Sequence, residues 1–561
     1  MKHRRFLKTG LASLLVLVLA FSFWGFNRDQ KNFEIAKNLD IYYTLFRELN
    51  LFYVDEIDPG KLVKESIDDM LASLDPYTVY IPESEMEDFN FMTTGEYAGI
   101  GALISKHGGE IVVAEPYEGF PAQKSGLKAG DIFLEVDGKK TSDMKVSDVS
   151  ELLKGPANKP IHLKMQRPGQ KKPYEVDIVR ENIQINPVPY YGMLDDSTGY
   201  IRLSSFTANC GDDVKNALLD LRNNKHAKQL VFDLRGNPGG LLVEAVKIAN
   251  LFVNQGQEIV STRGKVAQWD KTYRATEEPV DTIMPMVILV NRGSASASEI
   301  VTGSMQDLDR AVIMGTRTFG KGLVQTTRDL SYNSKLKVTT AKYYIPSGRC
   351  IQALDYAHRN PDGSVGTIPD SLISKFSTKD GRTVFDGGGI SPDVKIDQDQ
   401  LSNMVVQLIQ QFMVFDFATQ FVNDHPSIAV PGEFQITDDI YNNFKNYVKE
   451  HHFTYESKSE QALQDLIETA KKEKYYDGAA EAFKTLHADL SHNIDQDMNR
   501  FSSDIKDLLR DEIVSRYYYQ KGAIKASMGD DKDIEAAVKL LHNPAKYRSL
   551  LAPNNVISAM K

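Results

Sequence analysis

The sequence predicts a multidomain α+β protein: a helical arm, a small β domain, an α/β core and a mostly helical extension. Three observations carry this. A chain of 561 residues is long enough for roughly three or four domains. The apolar periodicity changes from helical to strand-like and back along the chain. Strands alternate with helices only in the middle portion, the pattern of an α/β sheet.

The elements follow in order. Lys2, His3, Arg4, Arg5 and Lys8 precede the apolar run Leu11–Phe26, a basic region followed by a hydrophobic one, so residues 1–29 address the chain for export. Ser22-Phe-Trp-Gly-Phe26 is too bulky for a clean small-residue cleavage site. An uncleaved signal anchor is therefore favoured over a cleaved signal peptide, with the body periplasmic and held at the inner membrane. Residues 30–84 form a helical arm. Phe33, Leu39, Tyr43, Phe46, Leu49 and Phe52 recur at helical spacing, and a second stretch runs from Leu62 to Leu74. So many aromatics on a short helical pair serve either a local core or a homo-oligomer contact. Over 85–182 short β-rich runs (Ala102–Ser105, Ile111–Ala114, Ile132–Val136, Ile161–Gln166, Tyr174–Val179) are separated by glycines. Residues 183–395 alternate strands such as Gln229–Leu234 and Met286–Val290 with helical patterns such as Ser298–Leu308. Residues 396–561 are helical, rich in charge and without a catalytic motif. This extension is a substrate platform, an assembly element or a dock for a regulatory or adaptor protein.

The bulk numbers exclude some functions. A net charge of −10 gives no basis for nucleic-acid binding. No metal or cofactor motif is present. Two cysteines, Cys210 and Cys350, make no disulfide framework; they either pair or remain buried thiols.

The chemistry centres on two loops. After the strand Met286–Val290 comes Asn291-Arg-Gly-Ser-Ala-Ser-Ala-Ser-Glu299, small residues turning from a strand into a helix. A nucleophile there gains the helix dipole and free N–H groups. Ser294, Ser296 and Ser298 compete for the role, and Ser298 also reads as a simple helix cap. The second loop, Thr316-Arg-Thr-Phe-Gly-Lys-Gly-Leu-Val-Gln325, sets Lys321 between two glycines. A lysine with pKa about 10.4 is neutral in about one molecule in 2,500 at pH 7. Bringing it to roughly 7 by desolvation costs about 4 kcal/mol. Gln325 offers a hydrogen bond there without restoring the charge, as a carboxylate would. A third segment, Leu230-Val-Phe-Asp-Leu-Arg-Gly-Asn-Pro-Gly-Gly-Leu241, runs a buried strand into a glycine turn suited to an oxyanion. None of the eleven histidines lies in a catalytic setting; His162 and His226 come nearest to a Ser-His-Asp alternative.

Two resemblances sharpen this. Pro121-Ala-Gln-Lys-Ser-Gly-Leu-Lys-Ala-Gly-Asp-Ile-Phe-Leu-Glu-Val-Asp-Gly138 resembles a circularly permuted PDZ domain. The resemblance implies that Gly99, Ile100, Gly101 and Ala102 receive a peptide's terminal carboxylate. The three loop segments, with Tyr344-Ile-Pro-Ser-Gly-Arg349, resemble the C-terminal processing peptidases, or tail-specific proteases, over about residues 30–395. That family implies Ser296 as nucleophile, Lys321 as base, Gln325 orienting the lysine, and the Ala297 and Gly239 N–H groups as oxyanion donors. It implies a serine endopeptidase cutting exported proteins near apolar C-termini, with no cofactor. Arg167 takes a position suited to coupling PDZ and core. Two departures stand out: Leu74-Asp-Pro-Tyr-Thr78 replaces the usual Leu-Asp-Pro-His-Ser, and Cys350 stands where serine is common. The rival from another class is a silent PDZ adaptor that only binds C-termini.

Overall fold

A computed structural model describes residues 32–397, 401–455, 457–490 and 493–553. The basic and apolar N-terminal segment expected to direct export lies outside the described residues. The chain divides into two compact units, one ending at Tyr80 and one starting at Ile81.

The first unit is helical over 32–52 and Pro59–Ala72. Asp58 caps the second helix by accepting the Lys61 N–H at 3.1 Å, and Pro59 enters its first turn. Phe33, Leu39, Tyr43, Leu49 and Phe52, five residues of the apolar pattern, are exposed. After the helix, Asp75 Oδ1 accepts the N–H groups of Tyr77 and Thr78, both at 2.8 Å, and Thr78 Oγ1 donates to Asp75 Oδ2. A serine hydroxyl makes the same turn, so the Thr78 departure is conservative here.

The second unit contains a six-stranded antiparallel sheet, with Ala102–His107, Glu110–Pro116, Ile132–Val136, Pro160–Gln166 and Tyr174–Val179 in that order and the short strand Lys139–Lys140 paired to Ile132–Val136. Ile111, Val113, Phe133, Leu163 and Met165 fill its core against helix Val146–Leu153. Asp137 and Gly138 both have positive φ, which a tight hairpin turn requires. The short strands Glu96–Gly99 and Glu181–Gln184 pair antiparallel where the chain enters and leaves this domain.

Beyond it lies a six-stranded sheet in the order Tyr190–Met193, Thr198–Arg202, Gln229–Asp233, Met286–Val290, Val312–Gly315, Val394–Lys395. The first pair is antiparallel and the rest parallel. Helices Cys210–Leu219, Leu242–Asn250 and Ala297–Asp307 cover one face. The other face carries Tyr200, Val231, Val287, Leu289 and Val312, packed on Ile534, Ala537, Leu540 and Tyr547. Helices Lys532–Leu541 and Pro544–Leu551 thus complete the α/β core. The sequence places them in a separate extension because periodicity marks an apolar face without saying what it covers. A second sheet carries the hairpin Leu323–Asp329/Lys335–Tyr344, joined to Glu258–Gly264 and Lys271–Arg274.

Residues 403–527 supply a helical bundle with its own core, including Leu408, Phe417, Phe444, Ile505 and Ile513. It packs on the PDZ-like sheet, with Phe412 stacked on His107 at 4.0 Å. Among the described residues no single helix is long and apolar enough to cross a membrane. Cys210 and Cys350 are both free. Thiol titration of the denatured protein should find both cysteines of each chain without prior reduction; a signal that appears only after reduction would show a disulfide.

Candidate active site

Strand Met286–Val290 is buried throughout and flanked by parallel neighbours, so it delivers the next residues to the carboxyl edge of the sheet. Asn291 Oδ1 holds the turn by accepting the Gly236 and Gly293 N–H groups, each at 2.9 Å. The chain then enters helix Ala297–Asp307 with Ser296 at its N-cap. Ser296 has φ 55° and ψ −113°, a conformation that costs a non-glycine residue about 1–3 kcal/mol.

Burial separates the three serines. Ser294 and Ser298 are both fully buried. The Ser294 hydroxyl donates to the Leu234 carbonyl at 2.8 Å, and that of Ser298 to the Asn237 carbonyl at 2.9 Å. Both are structural ties to the neighbouring turn. Ser296 opens instead on a cleft of about 530 Å³ that Lys321, Gln325, Gly239 and Gly240 also line. Among the described residues, no histidine lines this cleft. His162 is exposed on the PDZ-like sheet beside Asp177, and His226 lies in a loop.

Two residues that carry no signal in the sequence hold these loops together. Glu299, in the first turn of the helix and fully buried, accepts four hydrogen bonds. They come from the N–H groups of Ser296 (2.9 Å), Gly320 (2.7 Å) and Lys321 (2.9 Å) and from the Thr318 hydroxyl (2.6 Å). Burial pushes its carboxyl up to about 7, against the pull of those four donors. Tyr343, also buried, directs its hydroxyl at the carbonyls of Lys321 (2.7 Å) and Ser296 (3.1 Å). The backbones of Ser296 and Lys321 are therefore cross-linked twice. Glu299 looks like an ordinary helix-start acid in the sequence, and Tyr343 looks like one more strand aromatic; three-dimensional contact reveals both.

The glycine turn differs from expectation in one respect. The Gly239 N–H, expected to face an oxyanion, donates to Asn237 Oδ1 at 2.8 Å. What Gly239 provides is space. Its φ is +96°, and a Cβ there would lie 2.6 Å from the Ala295 carbonyl oxygen and 2.8 Å from both the Ala297 nitrogen and Ser296 Cβ. The Ala297 N–H, first in its helix, has no acceptor among the described residues. Gln325 Nε2 donates to Thr339 Oγ1 across the hairpin at 3.1 Å, which fixes the glutamine on the cleft face.

In the PDZ-like domain, Tyr97, Ile100, Ala102, Ile104 and Leu153 line a groove of about 190 Å³ between strand Ala102–His107 and helix Val146–Leu153. Gly99 and Gly101 shape its end; Gly101 has φ +74°, and a Cβ there would meet Phe120 Cβ at 2.5 Å. Arg167 lies away from the Ser296 cleft. Its guanidinium is held by Asp131 (2.7 Å), the Gly126 carbonyl (2.8 Å) and Tyr174 inside this domain, beside the helical bundle. Asp131 is nearly fully buried and accepts two hydrogen bonds from Arg167, which holds the guanidinium inside this domain.

Comparison with known proteins places the chain among serine-type proteases. The peptidase family S41 model matches residues 197–358, a PDZ domain model matches 112–167, and a model for the C-terminal helical domain of probable PDZ-proteases matches 404–541. A carboxy-terminal-processing protease of Bartonella bacilliformis is 38% identical over 65% of this chain and 80% of its own length. A probable CtpA-like serine protease of Staphylococcus haemolyticus is 33% identical over 76% of this chain and 84% of its own. The solved photosystem II D1 C-terminal processing protease aligns over 64% of this chain and 92% of its own at 30% identity, TM-score 0.35. The chain belongs to peptidase family S41, the carboxy-terminal-processing serine proteases with a PDZ domain. The PDZ domain makes it a binder of peptide or protein segments.

Proposed function

We propose that the protein is an endopeptidase that cuts exported proteins near their C-termini with a Ser296/Lys321 dyad. The observation that carries this reading is the shared cleft: Ser296 and Lys321 both line it, and no histidine among the described residues does. Neutral Lys321 takes the Ser296 proton as Oγ attacks the scissile carbonyl, and the Ala297 N–H stabilises the oxyanion. As the C–N bond breaks, the lysine ammonium protonates the leaving amine. Water, deprotonated by the same lysine, then hydrolyses the acyl-enzyme and frees Ser296. Gln325 holds the lysine's end of the cleft. An apolar tail lies in the PDZ groove with its carboxylate at Gly99–Ala102, and the basic and apolar N-terminus keeps the enzyme on the periplasmic face of the inner membrane.

The test is cleavage of a peptide with an apolar C-terminus. Ser296→Ala and Lys321→Ala should each lower kcat by at least about a thousandfold while the peptide still binds. Cleavage by both variants at the wild-type rate would overturn the dyad; binding without cleavage by the wild type would favour the adaptor.

A further inference from the structure

The cleft holds a second lysine that this reaction does not use. Lys337 stands directly opposite Thr327 in the hairpin, and Thr339 opposite Gln325. Opposed residues, and alternate residues along each strand, share a sheet face. Gln325, Thr327, Thr339 and Lys337 are therefore on one side, and Gln325, Thr327 and Lys337 line the cleft with Ser296. The neighbouring Lys335, two positions back, is neutralised by Asp329 across the hairpin. Lys337 makes no hydrogen bond or ion pair with any described residue, and no aspartate or glutamate among the described residues lines the cleft. Its side chain is half-buried, and that burial disfavours the ammonium. A partly desolvated cation among apolar walls regains free energy when an anion reaches it.

We propose that Lys337 is a specificity subsite that binds a carboxylate of the substrate, supplied by an aspartate or glutamate side chain beyond the scissile bond. Thr327, opposite Lys337, lies four residues along the strand from Leu323, roughly 14 Å of extended chain, so the acidic residue lies away from the cut, at a position the peptide series locates. A terminal carboxylate offers the same chemistry but is already assigned to the PDZ groove. The inference deepens the protease reading and rests on it.

The experiment compares kcat/KM for a peptide series in which one glutamate is moved along the chain and replaced in turn by glutamine, each with a free or an amidated C-terminus. Wild type should prefer glutamate at one position by about tenfold, falling as salt is added. Lys337→Met should bring the ratio to about one, and Lys337→Glu should invert it towards a lysine peptide. A Lys337-dependent loss on amidation, with glutamate and glutamine equivalent, would support the carboxylate subsite with the chain terminus as its source. Equal cleavage of all charge forms by wild type, or an unchanged ratio in Lys337→Met, would overturn it. If no peptide is cleaved in a Ser296-dependent way, the protease reading fails separately. The same preference is then measured as binding to Ser296→Ala, where its persistence after Lys337→Met overturns the subsite.

Discussion

Replacing Glu299 with alanine should lower kcat/KM at least about a hundredfold, the cost of a roughly 1 Å misplacement of reacting groups, and should also destabilise the fold. The carboxylate is the common acceptor for Ser296, Gly320, Lys321 and Thr318. Alanine leaves four buried donors without it, at about 1–3 kcal/mol for each that finds no substitute. Glutamine fails for a more specific reason. It keeps the shape, but its NH2 end meets donors, because every contact around this carboxyl is donated to it. The group's pH behaviour separates positioning from bulk stability. Burial raises the Glu299 carboxyl to about 7, well above the unfolded value of about 4.3. The stability it contributes is complete below the unfolded value and is lost as pH rises through about 7. Activity runs the other way, since only the ionised carboxylate accepts all four bonds. Wild-type kcat/KM should therefore fall as pH drops through about 7, on top of any limb from the proposed base Lys321. Glu299→Gln should retain the lysine limb and lose the difference. Identical profiles for wild type and Glu299→Gln would refute the positioning role.

How far the sequence reaches depends on the range of the interaction. Met286–Val290 is legible to the residue because a strand buried on both faces reads as an unbroken apolar run closed by a turn. The small-residue elbow and the lysine loop are legible for the same local reason. The choice among Ser294, Ser296 and Ser298 is not, since it rests on carbonyls at Leu234 and Asn237, about sixty positions away. Composition at the turn suggests N–H groups for an oxyanion, yet Asn237 takes the Gly239 N–H; only the folded turn assigns that partner. Nor does the charged run Asp530-Asp-Lys-Asp533 differ in sequence from a solvated surface, although the structure turns two of its aspartates on Arg235.

That contact leads to the larger stability effect, expected for Arg235→Met. Asp233, at the end of the central strand Gln229–Asp233, is fully buried and receives the Arg235 guanidinium at 2.7 Å and the Tyr200 hydroxyl at 2.7 Å. The same guanidinium binds Asp531 at 2.8 Å and Asp533 at 3.0 Å, at the start of helix Lys532–Leu541. One side chain thus pins the turn beside Ser296 and the helix that covers the back of the sheet. Burial alone would push the Asp233 carboxyl up, but the charges of Arg235 and Arg202 outweigh it and hold the pKa below its ordinary value. A depressed carboxylate contributes stability above its unfolded pKa and loses it as pH falls through the folded one. Methionine removes the cation while leaving the volume, and strands Asp233 as an uncompensated buried charge, so unfolding in urea should show a loss of about 3–5 kcal/mol. Adding Asp233→Asn should recover part of that loss, because the stranded charge goes with it. Asp533→Asn should cost much less, since Asp531 still holds the guanidinium. If Arg235→Met unfolded like the wild type, the network would be ornamental. If it lost stability but kept full activity, the turn beside Ser296 would be set by Asn237 and Asn291 instead, whose bonds to Gly239 and Gly236 survive the substitution.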